Sequence, residues 1–320
     1  MDAQKVQQFR QRVMDNVQQV IVGKDEIIDF MLVALLASGH VLLEDVPGTG
    51  KTMLAKTLAR SINCSFKRVQ FTPDLLPSDL SGIHYYNQKL GEFEFRPGPL
   101  FTNILLADEI NRATPRTQSS LLECMEERQV TIDGETRPLG RPFLVMATQN
   151  PVDHQGTFPL PEAQLDRFLI KIRMGYPSPE EAVTILKRFQ SSQPLDTILP
   201  VAEAGDIIEM QQECTQVFVH DDVLRYLVEL VEQTRKHPDV ALGVSPRGSQ
   251  ALLKAVQAYA AMQGRPFVVP EDIKKLCIPV LGHRLIVKNQ LKSRDEEAAR
   301  ILRSLMERIP APVEAQPAGR

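Results

Sequence analysis

Four residues near the start of the chain have the types and spacing needed to bind phosphate. They are Gly48, Gly50, Lys51 and Thr52, at the end of the string "LLEDVPGTGKT". Two glycines let a backbone come close to an anion and adopt positive φ. A lysine brings charge to the β- and γ-phosphates, and a threonine hydroxyl can ligate Mg²⁺. The general pattern G-x-x-x-x-G-K-[ST] asks for a first glycine at position 45, where this chain has Asp45. That position ends a strand and lies outside the turn, so the groups that touch phosphate are all kept. Pro47, Thr49 and Met53 complete the expected nucleotide-binding stretch.

Phosphoryl transfer to water also needs a carboxylate that helps hold the metal and a group that activates the water. "ILLADEINR" supplies Asp108 for the first role and Glu109 for the second, at the end of an apolar run. Asn150, in "VMATQNP", follows another such run. There an amide can bond the γ-phosphate or the attacking water, although Asn before Pro151 is by itself an ordinary turn. Arg167, in "LDRFLI", suits a cation delivered to the γ-phosphate across a subunit interface. Its plain alternative is a helix-end cation. Arg112 and Arg173 are lesser candidates for that task. Arg247 lies in the first turn of a helix opened by Ser245-Pro246, where a cation opposes the helix dipole unless it faces a phosphate.

These groups need a scaffold. Val41–Leu43, Phe66–Phe71, Asn103–Ala107, Phe143–Thr148 and Leu169–Met174 read as strands, with helical patterns between them. That alternation implies an α/β core with a five-stranded parallel sheet. Two segments break the rhythm. Residues 82–99 alternate as a hairpin with a turn near Lys89-Leu90-Gly91, with Phe93 and Phe95 on one face. Residues 128–141 hold Asp133-Gly134 between β-like arms, a strong hairpin signal. From about residue 177 the pattern turns helical, starting with the capping box Ser178-Pro179-Glu180-Glu181. Leu224, Leu227, Val228 and Val231 form an apolar stripe there. The expected organisation is a core over 1–176, an all-helical domain over 177–308, and a disordered Pro- and Ala-rich tail over 309–320.

Of the 320 residues, 43% are hydrophobic and 24% charged, with a net charge of −3. This is ordinary globular composition without the basic surface that non-specific nucleic-acid binding favours. Cys64, Cys124, Cys214 and Cys277 are scattered and read as reduced, mostly buried thiols of a cytosolic protein. No signal core or membrane span is expected.

The motifs, in this order, resemble the MoxR family of AAA+ ATPases. The similarity is carried by "LLEDVPGTGKT", "FTPDLLPSDLSG", "ILLADEINRATPRTQSSLLECMEERQVTIDGE", "ATQNPVDHQGTFPLPEAQLDRF" and "SPRGSQALLKAVQAYAAMQGR", and runs from about Ile21 to Lys288. The resemblance implies ATP and Mg²⁺ as cofactors, a P-loop core, a helical lid and a hexameric ring with nucleotide between subunits. It places Val22 and Gly23 in the segment beside adenine, Asn150 as sensor 1, Arg167 as arginine finger and Arg247 as sensor 2. Whether Arg247 serves its own subunit's nucleotide or a neighbour's stays open. The hairpins match the helix-2 insert and the insertion before sensor 1. The resemblance also implies chaperone-like maturation or activation of client proteins, a separate partner with a von Willebrand factor A domain, and in some cases cofactor or metal insertion. The alternatives are a nucleic-acid motor contacting its substrate through Arg128, Arg137 and Arg141, or a nucleotide-gated scaffold with little turnover. The second is disfavoured by Glu109, which a scaffold has no need to keep.

Overall fold

The computed structural model describes residues 2–44, 46, 48–150, 156–191, 194–288 and 293–312. Helices α1 (Ala3–Gln18) and α2 (Asp25–Leu36) precede β1 (Val41–Glu44) and α3 (Lys51–Ser61). Then come β2 (Phe66–Gln70), α4 (Pro77–Ser81), β3 (Gly82–Asn87), β4 (Glu92–Pro97), β5 (Ile104–Asp108) and α5 (Pro115–Glu127). Strands β6 (Gln129–Ile132) and β7 (Glu135–Pro138) lead to β8 (Leu144–Gln149), α6 (Glu162–Leu165) and β9 (Ile170–Ile172). The remainder is α7 (Pro179–Ser191), α8 (Pro194–Thr197), α9 (Ala204–Thr215), α10 (Asp221–Lys236), β10 (Val240–Leu242), α11 (Pro246–Met262), α12 (Pro270–Leu281), β11 (Ile286–Val287) and α13 (Arg294–Arg308).

Packing divides the chain into Gln8–Gln211, and Met1–Gln7 with Gln212–Arg320. The join expected near residue 177 therefore falls inside the first unit, and α7 and α8 stay with the sheet. The tail from Val313 onward lies outside the described residues, as do Asp45 and Pro47.

In the first unit five strands pair in the order β2-β5-β8-β1-β9, all parallel. The continuous apolar runs of β1, β5 and β8 are buried almost throughout, as strands covered on both faces must be. The edge strand β2 is half-buried at Phe66 and Val69 and exposed at Lys67, Arg68 and Gln70. Its register sets Gln70 beside Asp108, while Glu44 lies beside Gln149. The polar ends of four strands thus meet at the carboxyl edge of the sheet, where open parallel sheets bind ligands.

His40 anchors the other end. Its Nε2–H donates to the Met125 carbonyl (2.9 Å), and its Nδ1 accepts from the Val145 N–H (3.0 Å). Both ring nitrogens are used by the neutral form, and burial pushes the pKa down to about 4 from the usual 6.5. The folded ring stays neutral between those values while the unfolded chain takes up a proton. Stability is therefore full above pH 6.5 and falls by about 3 kcal/mol as the pH drops towards 4. Thermal unfolding across this range is expected to show that fall in the wild type. In His40→Asn, itself less stable, the same pH step should be shallower. Parallel curves would remove His40 as the cause.

The two expected hairpins are present. In β6–β7 the turn residues Asp133 (φ 50°) and Gly134 (φ 84°) both take positive φ, the geometry Asp-Gly favours between twisted strands. In β3–β4, Phe95 packs on the core and meets Phe101 edge-on. Phe93, expected on the same face, is 72% exposed against Tyr86, because the outer half of the hairpin extends past the body of the domain. The hairpins also touch each other. His84 Nδ1 lies 2.8 Å from Asp133 Oδ2, and the Arg137 guanidinium stacks 4.2 Å from the Phe95 ring centre. Arg128 donates to the Ser38 carbonyl. Two of the three arginines that a nucleic-acid motor would use are thus committed inside the domain.

Among the described residues the second unit is mainly helical, with the short antiparallel pair β10–β11 and a single parallel bridge between Phe218 and Phe267. Ser245 caps α11 by accepting from the Gly248 N–H at 3.2 Å. On α10 the buried face is Val223, Tyr226, Leu227, Leu230, Val231 and Thr234, so the expected stripe is rotated. Leu227 and Val231 are buried, but Val228 is exposed. Tyr226 and Thr234 complete the true face, and their polar atoms hid them from an apolar pattern. All four cysteines are unpaired, and burial pushes the Cys124, Cys214 and Cys277 thiols up to about 12. Among the described residues no helix is long and apolar enough to cross a membrane.

Candidate nucleotide-binding site

The strand β1 runs into the glycine loop, and α3 starts directly after it at Lys51. Gly48 (φ 84°) and Gly50 (φ 90°) hold the left-handed conformations that glycine adopts without strain. A Cβ added at either would meet nothing within 4 Å, so the loop borders open space. Lys51 Nζ donates to the Val46 carbonyl at 2.9 Å. The first turn of α3 presents backbone N–H groups and a positive dipole end to that space.

A cavity of about 550 Å³ opens there. Gly48, Gly50, Lys51, Thr52 and Met53 form one side, and Asp108, Glu109 and Asn150 line it as well. Residues separated by a hundred positions are thus brought together around one cavity. Val22 and Gly23 do not line it. Gly23 (φ 68°) sits instead against the Glu181 carboxylate, which accepts from the Ser178 N–H in the α7 capping box. Phe189, Pro194 and Leu195 provide an apolar wall. Arg167 is not among the lining residues either. Its Nε pairs with Glu126 at 3.0 Å. Arg247 is exposed in the first turn of α11, in the other unit. Arg112 pairs with Glu109 (3.2 Å), and Arg173 with Glu44 (2.9 Å).

The two carboxylates are held with different geometry. Glu109 follows β5 in a left-handed conformation (φ 57°, ψ 51°), a strained backbone of the kind that persists at functional sites. One hydroxyl orients both residues: Thr148 Oγ1 donates to Asp108 Oδ1 (2.6 Å) and accepts from the Glu109 N–H (2.8 Å). Gln70 Nε2 donates to Glu109 Oε2 at 2.6 Å. Arg68 Nη2 and Nε both donate to Asp108 Oδ2, at 2.6 and 3.1 Å. The turn beyond Glu109 is braced by Gln118 Nε2, which donates to the carbonyls of Ile110, Ala113 and Phe158. Sequence reasoning missed Arg68, Gln70, Thr148, Lys56 and Phe189. For Arg68 and Gln70 a signal existed, since "RVQ" puts both on one face of a strand. Only the β2–β5 register shows that this face meets the carboxylates.

Comparison with known proteins agrees with this geometry. Residues 40–170 match the family described as "ATPase family associated with various cellular activities (AAA)", and residues 232–305 match the "AAA lid domain". The chain is 46% identical to Chaperone MoxR1 of Mycobacterium tuberculosis, over 87% of this chain and 75% of that one. It is 32% identical to Protein MoxR of Paracoccus denitrificans, over 87% and 88%. A crystal structure of a candidate ATPase from Cytophaga hutchinsonii superposes with a TM-score of 0.89 and 38% identity, over 97% of this chain and 98% of that one. A glycine loop that shares one cavity with two strand-end carboxylates, on a scaffold shared along nearly the whole chain with these proteins, places this chain in the MoxR family of AAA+ ATPases.

Proposed function

We propose that this protein hydrolyses ATP with Mg²⁺ and uses the cycle to remodel or activate client proteins. It would work as a hexameric ring with a separate partner that carries a von Willebrand factor A domain, in complex maturation or cofactor insertion. The observation that carries the hydrolytic part is the facing of Asp108 and Glu109 across one cavity from the α3 N-terminus. The protein part rests on the chaperone name borne by the mycobacterial relative and on the exposed apolar side chains of the β3–β4 hairpin.

The residues present fit the nucleotide and the metal. The open cradle at Gly48 and Gly50 admits phosphate oxygens to the backbone N–H groups. Thr52 and Asp108 are hard oxygen donors suited to Mg²⁺. Among the described residues no cluster of three or more His, Cys, Asp or Glu could hold a metal, so phosphate oxygens and water would complete the shell. When bound, the metal would supply charge neutralisation on the phosphates. Lys51 then leaves the Val46 carbonyl for the phosphates, and Asn150 aligns the attacking water. Glu109 accepts the water's proton once it leaves Gln70 and Arg112. The apolar wall at Phe189, Pro194 and Leu195 excludes solvent from one side.

Arg167 is the finger in this reading, directed at a neighbour's nucleotide, and Arg247 is the lid's phosphate sensor. Support for the first comes from the position of Arg167 outside its own cavity lining. Mixing tests it. Glu109→Gln and Arg167→Ala proteins are each expected to be inactive alone. At equal mixing, roughly a quarter of the interfaces in a ring combine an intact Glu109 with an intact Arg167. Phosphate release should recover to about that share, and no recovery would exclude a finger acting between subunits.

A further inference from the structure

Both oxygens of Asp108 already accept hydrogen bonds in this structure. Thr148 takes Oδ1, and the Arg68 guanidinium takes Oδ2 with two N–H groups. Thr148 is buried and belongs to the sheet, whereas the Arg68 side chain is 47% exposed on the edge strand and lines the cavity. Asp108 is only 13% exposed, so Arg68 covers the carboxylate on its open side. A carboxylate so enclosed, beside Glu109, needs a cation close by. An arginine suits that need because it is always charged and forks onto oxygen.

We propose that Arg68 is a resident stand-in for Mg²⁺, holding Asp108 in the nucleotide-free site and giving way when the metal–nucleotide enters. The proposal rests on the reading of this cavity as a Mg–ATP site. Two cations cannot share Oδ2 without repulsion, so Arg68 raises the metal concentration at which the site fills. Its departure has a built-in consequence. Arg68 Nη2 also donates to Gln70 Oε1 at 3.2 Å, and Gln70 is the residue bonded to Glu109. Release of Asp108 therefore removes one of the contacts that hold Gln70 on Glu109. Arg68 is a positioning residue, acting on the metal through Asp108 and on the water-activating carboxylate through Gln70.

The test titrates Mg²⁺ against full-length protein carrying a bound fluorescent ADP analogue, with Mn²⁺ electron paramagnetic resonance in the presence of ADP as a direct count of bound metal. Arg68→Ala is expected to reach half-saturation at about a tenfold lower metal concentration, the scale on which a neighbouring cation shifts a carboxylate's preference. Its affinity for the analogue in EDTA should stay within about twofold of wild type, since the proposal gives Arg68 no phosphate to hold. Arg68→Lys, with a point charge in place of the fork, should fall between the two. An unchanged or raised metal requirement overturns the proposal. So does a loss of affinity in EDTA, which would make Arg68 a phosphate ligand. If Arg68→Ala does not fold, Arg68→Lys and Arg68→Gln carry the same titration. Wild-type protein that binds the analogue with no response to metal overturns the Mg–ATP reading itself, and that control separates the two failures.

Discussion

Glu109→Gln protein is expected to bind ATP and fail to cleave it. The substitution keeps the size of the side chain and its reach across the cavity. It replaces a carboxylate that can take a proton from water with an amide too weakly basic to do so, and general-base losses of this kind run on the order of 10²–10⁴-fold in turnover. Affinity for nucleotide should hold or rise slightly, because one negative charge facing the phosphates is gone. The contacts that tie Glu109 in the present structure, Gln70 at 2.6 Å and Arg112 at 3.2 Å, involve no phosphate-binding group. Single-turnover phosphate release and equilibrium binding of a labelled nucleotide measure the two effects separately. Turnover near wild type would remove Glu109 from its role and leave the strained backbone at φ 57° without a catalytic reason. The same variant, loaded with ATP and used as bait, should retain client proteins that the wild type releases.

Gly50→Ala should separate folding from binding even more sharply. Gly50 sits at φ 90°, and alanine in a left-handed conformation costs about 1–2 kcal/mol. The added Cβ meets no atom within 4 Å, so nothing else in the protein resists it. Thermal unfolding should therefore shift only modestly. The methyl occupies the space beside the α3 N-terminus, which is where a phosphate must approach the backbone N–H groups. Nucleotide affinity is expected to fall on the order of 10²-fold, about 3 kcal/mol. If the loop were only a strand-to-helix turn, the variant would show the small stability loss and no binding defect.

The sequence carried the parts of this site that depend on local patterning. Uninterrupted apolar runs gave β1, β5 and β8, because a strand covered on both faces has no polar side to show. Asp133-Gly134 gave the second hairpin, because few other residues tolerate two positive φ values in succession. Ser178 and Glu181 cap α7 reciprocally, as their spacing required. Where non-local geometry decides, local patterning falls short. Arg68 and Gln70 acquire meaning only when β2 lies beside β5. The α10 stripe was rotated because Tyr226 and Thr234 are buried by neighbours that the helix's own pattern does not name. The change to a helical pattern near residue 177 marked a change of secondary structure, whereas the packing divides after Gln211.

The contacts between the two hairpins bear on how this domain can be altered. His84 on β3 pairs with Asp133 at the tip of the other hairpin, and Arg137 on β7 lies over Phe95 on β4. Each insertion thus carries half of two mutual bonds. A graft that replaces only one of them strands a cation on one side and a bare aromatic face on the other. The hairpins are far apart in sequence but form a single transplantable piece, and any exchange between relatives must move them together.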